Sequence, residues 1–467
     1  MKPSQSLWIR ALSLCLLFIL LISPVLPASA APLGDLITVS ESVEIPPEAV
    51  KGDAEEMSKV HMGLVNKYMK HYKTDDGNIE FPDYFGGFTS GTDLLPIMCL
   101  TEFSDEILAE IRTAFYSYRS ERATEEEVIQ YMDKWFPTIR YQLVEYSYKQ
   151  LYELQKALKA FFQDVKRGEY NIQVDCKNNQ VILFCDTEVQ KDEVNQAVTL
   201  TDKNPSILKI MPIAQFDAWV EERSAPPAVQ STEPVEPSAE MAGKVMPGMK
   251  NAFYKANGTM SSGTVGFTSF LTYNGRGDDD LGLERGDTVE AVFTHGHDIS
   301  GLYPYSSINN MYSADLLAYG THVDYSFYMP RGNVSISGKR YGSTEYFTEY
   351  CASEYEISLY ANNSLNGYVY FYGDTSGERS FTKYNLQIDS GTVYWENRNA
   401  ISQPGDSGCP IFFSLDEVGQ EGENGYALIA IMSTSNANSG GEGQTIYSII
   451  NDIEYNTDYT FDEFCTD

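Results

Sequence analysis

Apolar residues recur at helical spacing through the first half of this chain and at strand spacing through the second. Leu151, Leu154, Leu158, Phe161 and Val165 fall on one helical face, with Ser147 and Gln150 as a capping box before them and Gly168 as the stop. Thr124 with Glu127 forms another box ahead of Val128, Tyr131 and Trp135, and Ser104 caps a helix from Asp105 to about Tyr118. Short strands are expected near Tyr141–Tyr146 and across Tyr170–Phe184, where Asn178-Asn179 turns a hairpin. This half reads as an α+β unit. Residues 224–248 then carry Pro226, Pro227, Pro234, Pro237 and Pro247 among Ala, Glu and Ser, a linker that stays extended and open to proteolysis. Beyond it, Gly, Ser, Thr, Asn and Tyr dominate. Short runs such as Tyr368–Tyr372, Tyr384–Ile388 and Ala427–Met432, between frequent turn signals, predict an all-β barrel or sandwich. One helix is expected to close the chain near Ile449–Tyr455.

Length changes this picture little: 467 residues suffice for about three domains of ordinary size. The N-terminus changes it more. Lys2 and Arg10 precede an apolar run from Ala11 to Ile22, followed by Pro24, Pro27 and Ala28-Ser29-Ala30. The run is short for a bilayer span and the small residues suit a signal peptidase, so cleavage is expected after Ala30. The mature protein is then exported, and no later segment is apolar enough to hold it in a membrane. A net charge of −33 opposes binding to phosphate backbones, which excludes nucleic acid as an expected partner. Six cysteines lie outside the leader, too few in so long a chain for a disulfide scaffold, and their pairing cannot be read from spacing.

The candidate chemistry lies in the second half. Gly405-Asp406-Ser407-Gly408-Cys409-Pro410 sets a serine between glycines just ahead of Ile411, Phe412 and Phe413. A serine hydroxyl is a poor nucleophile unless a base takes its proton, a further group orients that base, and donors face the developing oxyanion. Ser407 suits the nucleophile, and Gly405 lets the backbone turn so that its own amide and that of Ser407 face one oxygen. Only His295, His297 and His322 follow the linker as candidate bases. Asp324, in the apolar strand context Val323-Asp324-Tyr325-Ser326-Phe327, is the best-placed carboxylate. Two other readings fail on the same letters. An α/β-hydrolase elbow needs glycine where Cys409 stands, and strand–helix alternation around it. A zinc site on His295-Gly296-His297-Asp298 lacks the further ligands, with Ile299 and Ser300 behind it, so no metal or cofactor is expected.

With these residues in view, the segment from about 255 to 460 resembles the chymotrypsin-like serine peptidases, in particular the bacterial α-lytic protease and streptogrisin group. Thr294-His295-Gly296-His297-Asp298 is similar to that family's Thr-Ala-Ala/Gly-His-Cys, which implies His297 as the base. Asp324-Tyr325-Ser326 resembles its aspartate motif and implies Asp324 as the orienting group. Gly405 to Pro410 matches Gly-Asp-Ser-Gly-Gly-Pro except at Cys409, implying Ser407 as nucleophile and Gly405 as oxyanion donor. Ile431-Met432-Ser433-Thr434-Ser435 resembles the strand lining the substrate cleft, which places Ser433, Thr434 and Ser435 there. The resemblance implies an all-β double six-stranded barrel over 249–467. It also implies that residues 31–223 are a pro-region acting as folding aid and inhibitor, similar to the pro-regions of bacterial members around Val144–Leu151 and the Asn178 hairpin. The implied activity is that of a secreted, monomeric serine endopeptidase cleaving polypeptide through an acyl-enzyme. Maturation is expected in or just after the linker, near Met246–Asn251, with the enzyme itself as a candidate for the cut. From another class, a non-catalytic extracellular binding module with a decayed site is the alternative, and the intact His297, Asp324 and Ser407 argue against it.

Three departures bear on the family pattern: Asp298 stands where a cysteine is usual, Cys409 where a glycine is, and Thr434 and Ser435 replace glycines of the cleft. Cys409 is expected to be packed or disulfide-bonded rather than reactive. Asp278-Asp279-Asp280 with Glu284 and Asp287 reads as a solvated acidic loop rather than a calcium site.

Overall fold

A computed structural model describes residues 36–37, 54–74, 79–91, 96–117, 124–166, 168–223 and 243–465, apart from 256–259, 276–280, 298–301, 309–311, 344, 364–367, 397–401, 417–423 and 437–439. The leader, the Asp278–Asp280 run and Asp298 therefore lie outside the described residues, as does most of the linker.

In the first half, helices α1 (Ala54–His71), α2 (Asp105–Ser117), α3 (Glu125–Trp135), α4 (Tyr148–Phe161), α5 (Lys191–Leu200) and α6 (Phe216–Arg223) pack on two small sheets. One sheet has the order β1 (Leu36–Ile37), β4 (Arg140–Leu143), β3 (Pro96–Leu100), β2 (Phe85–Ser90), and the other the order β5 (Tyr170–Asp175), β6 (Gln180–Cys185), β7 (Leu208–Met211). Both expected capping boxes form, at Thr124 and Ser147. The helix expected to run to Val165 ends at Phe161, because the chain turns at the buried Phe162, whose ring packs 5.1 Å from that of Tyr170. Helix α1 had no sequence signal. From Val60 to Met69 every residue is buried, so no polar face alternates with an apolar one.

The second half carries the strands β8 (Lys244–Val245), β9 (Lys250–Lys255), β10 (Met260–Thr264), β11 (Phe267–Tyr273), β12 (Thr288–Thr294), β13 (Leu302–Ile308), β14 (Tyr312–Tyr319), β15 (Ser326–Pro330), β16 (Ser335–Ile336) and β17 (Tyr346–Tyr350). After helix α7 (Glu354–Asn363) come β18 (Tyr368–Gly373), β19 (Gly377–Thr382), β20 (Leu386–Asp389), β21 (Thr392–Glu396), β22 (Pro410–Asp416), β23 (Asn424–Asn436) and β24 (Gly440–Thr445), then helix α8 (Ile446–Asn456) and β25 (Tyr459–Phe464). They form two main sheets, β10-β9-β13-β14-β15-β12-β11-β25 and β19-β18-β22-β23-β24-β21-β20, the latter with β17 parallel to β23. This half is mostly β, as expected, with eight strands in each sheet where six had been inferred. The surplus includes β25 on an edge and β17. Helix α7 interrupts a region that sequence composition assigned wholly to strands.

Two apolar clusters explain how the site is held. Phe267, Phe293 and Phe327 of the first sheet meet Phe412, Leu428 and Ile431 of the second and Ile446 of α8 in one core, which clamps the sheets together. The other face of β22 (Ile411, Phe413, Leu415) joins a larger core shared with α1, α2, α3 and α4 of the first half. The main core of the first half is therefore continuous with this face of β22. Polar pairs line the join: the Asn66 amide donates to Glu349 (2.8 Å), Tyr360 donates to Asn66 (2.6 Å), and Lys70 and Lys73 pair with Glu349 and Glu356. His61 Nε2 donates to the Asn363 carbonyl at 2.8 Å, and the Phe88 amide to the Asn363 side chain.

Of the expected maturation region, the end near Met246–Asn251 is covered by this packing. Met246 and Met249 are 1% exposed and Asn251 fully buried, so a protease cannot reach those bonds in the folded chain.

Burial lowers the His61 pKa from 6.5 to about 4. The unfolded chain takes up the proton first as pH falls, so the stability supplied by the neutral ring is complete above about pH 6.5. It is lost between there and pH 4, by on the order of 3 kcal/mol. Thermal unfolding across this window should show the loss in the wild-type chain and a shallower one in His61→Gln; equal slopes would exclude His61 as its source.

Candidate active site

Strand β12 delivers the histidines. Val289, Ala291 and Phe293 point into the core between the sheets, Val292 into a smaller one, and the strand stops at the buried Thr294. Antiparallel pairing sets Thr294 opposite Ser326 and Phe293 opposite Phe327. The residues just after β12 thus lie beside those just before β15, and Asp324 comes level with Gly296 and His297. The Gly296 amide donates to Asp324 Oδ1 at 2.7 Å, and the Ser326 hydroxyl to the His295 carbonyl at 2.7 Å. Only glycine fits at 296, because a Cβ there would lie 2.5 Å from the Tyr325 carbonyl oxygen.

His297 Nδ1 and Asp324 Oδ2 are 2.8 Å apart. A carboxylate accepts and does not donate, so Nδ1 carries the hydrogen and the neutral ring keeps its lone pair on Nε2. Burial alone would raise the Asp324 pKa. The hydrogen bond and charge of His297, the Gly296 amide and the charge of His295 outweigh it and hold the carboxyl below its ordinary value. His295 is 1% exposed and stacks on His297, ring centroids 4.3 Å apart. Asp324 thus bonds His297, while His295 supports it from behind and His322 lies exposed at 321–324.

Ser407 sits half-buried on a turn between Gly405 (φ 104°) and Gly408 (φ 91°), conformations that favour glycine. Thr264, at the end of β10, ties this turn to β12. Its amide donates to the Ser407 carbonyl (2.7 Å), its hydroxyl to the Gly405 carbonyl (2.9 Å), and its carbonyl accepts from the Thr294 hydroxyl (2.8 Å). A Cβ on Gly263 would lie 2.8 Å from both His295 Nδ1 and the Ser407 carbonyl oxygen, and one on Gly408 would lie 3.1 Å from the His295 amide. The serine turn and the histidine-bearing strand end are therefore packed side by side.

The amides of Gly408 and Met432 tie the turn to β23: Gly408 donates to the Met432 carbonyl (2.6 Å) and Met432 to that of Cys409 (2.9 Å). Cys409 is fully buried beside Met432, and burial pushes its thiol pKa far up, which fits a packed, inert residue. Ser433 is 2% exposed at a bulge, and Thr434 and Ser435 pair with Glu442 and Gly441 of β24. Among the described residues no strand pairs with the other edge of Thr434–Asn436, next to the serine turn. Sequence reasoning missed Thr264, which lies over a hundred residues from Ser407 in an ordinary Ser-Ser-Gly-Thr stretch. Among the described residues no cluster of acidic, histidine or cysteine side chains could hold a metal.

No protein-family model matches the chain, and no curated protein is significantly similar to it in sequence. Among solved structures, the active form of the Rv3671c protease from M. tuberculosis aligns with 49% of this chain and 93% of its own, at 13% identity and a TM-score of 0.26. Protease Anisep from Arthrobacter nicotinovorans covers 43% of this chain and 90% of its own, at 12% identity and a TM-score of 0.23. The Drosophila Grass clip serine protease of the Toll pathway covers 48% and 72%, at 10% identity and a TM-score of 0.28.

Nitrogen NMR of the folded protein near neutral pH should report His297 as the Nδ1–H tautomer. In Asp324→Asn the amide can donate to Nδ1 and the hydrogen should move to Nε2 with the melting temperature little changed. An Nε2–H tautomer in the wild type would break the assignment of Asp324 as the orienting group.

Proposed function

We propose that this chain is an exported serine endopeptidase, made as a precursor, in which His297, Asp324 and Ser407 perform acyl transfer. The observation that supports the reading is the 2.8 Å bond from His297 to Asp324, which leaves the lone pair of the neutral ring on Nε2, near the Ser407 turn. In the reaction, Nε2 takes the Ser407 hydroxyl proton as Oγ attacks the substrate carbonyl, and Asp324 stabilises the imidazolium. Amides of Gly405 and Ser407 hold the oxyanion. The peptide C–N bond breaks as His297 returns the proton to the leaving amine. Water, deprotonated by the same nitrogen, then releases the acyl group. A polypeptide substrate is supported by the strand edge at Thr434–Asn436, where an extended chain can add backbone hydrogen bonds. Closure of the two sheets into a double barrel, as in the α-lytic group, belongs to this reading, as do a monomeric state and export directed by residues 1–30.

Residues 31–223 are proposed as the pro-region. The shared core supports a folding role, because β22 buries one apolar face against the first-half helices. The described bonds between the halves fall on β17, α7 and Tyr384, which favours folding assistance over blockage of the site. Maturation is proposed within the Pro-rich linker, residues 224–248.

Fluorophosphonate probes should label the protein, and Ser407→Ala should abolish labelling; labelling that survives the substitution removes Ser407 from its role. Residues 249–467 expressed alone should be insoluble or melt without cooperativity, and residues 31–223 supplied in trans should restore a soluble, cooperatively melting species. Normal folding of 249–467 by itself would end the folding-aid proposal.

A further inference from the structure

Between β18 and β19 the chain makes a tight turn, Asp374-Thr375-Ser376, far in sequence from the serine motif. Its groups converge on that motif. The Thr375 hydroxyl donates to the Pro404 carbonyl at 3.0 Å. The amides of Thr375 and Ser376 donate to Asp406 Oδ1 at 3.1 and 3.0 Å, and the Ser376 hydroxyl donates to Oδ2. The Gln403 amide adds a bond to Oδ2 at 2.7 Å. Asp406 is fully buried, so these donors are what let a carboxylate sit beside the nucleophile. Gly373 must be glycine for the same reason, since a Cβ there would overlap the carboxylate of Asp406. Thr264 holds the turn itself, its hydroxyl accepting from the Asp374 amide at 3.1 Å.

We infer that the Thr375-Ser376 turn positions the oxyanion donors of the proposed peptidase, with Thr375 fixing the Pro404–Gly405 peptide and Ser376 fixing Asp406. The inference rests on the acyl-transfer reading and deepens it. A peptide unit is planar and trans, so a carbonyl drawn toward Thr375 aims the Gly405 N–H in the opposite direction, away from the turn. The next peptide is fixed as well: the Gly405 carbonyl accepts from Thr264, and the Asp406 amide donates to the Gln403 carbonyl at 3.0 Å. The Gly405 and Ser407 amides are left as the donors with no partner among the described residues. Because Asp406 is already satisfied by this turn, the donors are set in the uncut chain and need no charge newly created by cleavage.

The test is Thr375→Val, which deletes the hydroxyl at nearly constant shape, beside Thr375→Ser, which keeps it. Hydrolysis of a small nitrophenyl ester and rates of fluorophosphonate labelling are measured on the uncut full chain. Thr375→Val should lower kcat roughly tenfold with KM little changed, less than the loss on removing a donor outright. Thr375→Ser should restore most of it, with melting temperatures of both variants close to wild type. A Thr375→Val enzyme with kcat within twofold of wild type, or one impaired only in KM, overturns the inference while leaving the peptidase reading intact. Labelling of wild type only after the chain is cut also overturns it. A wild type that never labels at Ser407 removes the peptidase reading itself, and this assignment with it.

Discussion

The candidate site depends on the hydrogen bonds of one buried threonine. Thr264 offers its amide, hydroxyl and carbonyl, and all three are engaged: the amide by the Ser407 carbonyl, the hydroxyl by the Gly405 carbonyl and the Asp374 amide, and the carbonyl by the Thr294 hydroxyl. Three segments far apart in sequence thereby meet at one residue with no exposure to water. Inside a dry, fully bonded network each bond is stronger than at the surface, and an unmade one leaves an unsatisfied buried group. The serine turn, the histidine strand and the hairpin turn at 374–376 thus form one rigid unit, which is what chemistry requiring sub-ångström placement demands.

Glycine enters this unit for reasons of space as much as of backbone angle. Gly296 lets the chain press against the Tyr325 backbone so that His297 reaches Asp324, and Gly263 leaves room for the His295 ring against the Ser407 carbonyl. Neither requires a positive φ. The stack of His295 on His297 shows the same economy of space: a second histidine serves as a wall for the first and adds to the field that keeps Asp324 ionised.

These close contacts also show what the letters of the chain could reveal. The pairing of His297 with Asp324 was legible through motif resemblance, and the register of β12 on β15 supplies the physical reason for it. Helices α3 and α4 were legible because each exposes one face and begins at a capping box, both local signals. Helix α1 was not, because burial on every side erases the periodicity that marks a surface helix. Helix α7 was hidden by its neighbours, since Glu354–Asn363 sits among strand-forming tyrosines and owes its place to contacts with α1 and β2. Thr264, Thr375 and Ser376 carry no signature at all. A hydroxyl that orients a distant carbonyl looks in sequence like any surface threonine.

The shared core bears on what a pro-region can be in this protein. Were residues 54–223 simply to leave, the core that β22, the strand directly after the serine turn, shares with the first-half helices would lose part of its apolar cover. An apolar side chain is worth roughly 1.5–3 kcal/mol when buried, so uncovering even a few on both sides of the shared core costs about as much as many domains have in total stability. His61, Asn66 and Lys70 would lose their partners at the same moment, and Glu349 and Asn363 would be left without theirs. On the proposed reading, cleavage in the linker would then cut a tether rather than release an inhibitor. The two pieces would stay together through the core they share, and the geometry around Ser407 would be the same before and after the cut.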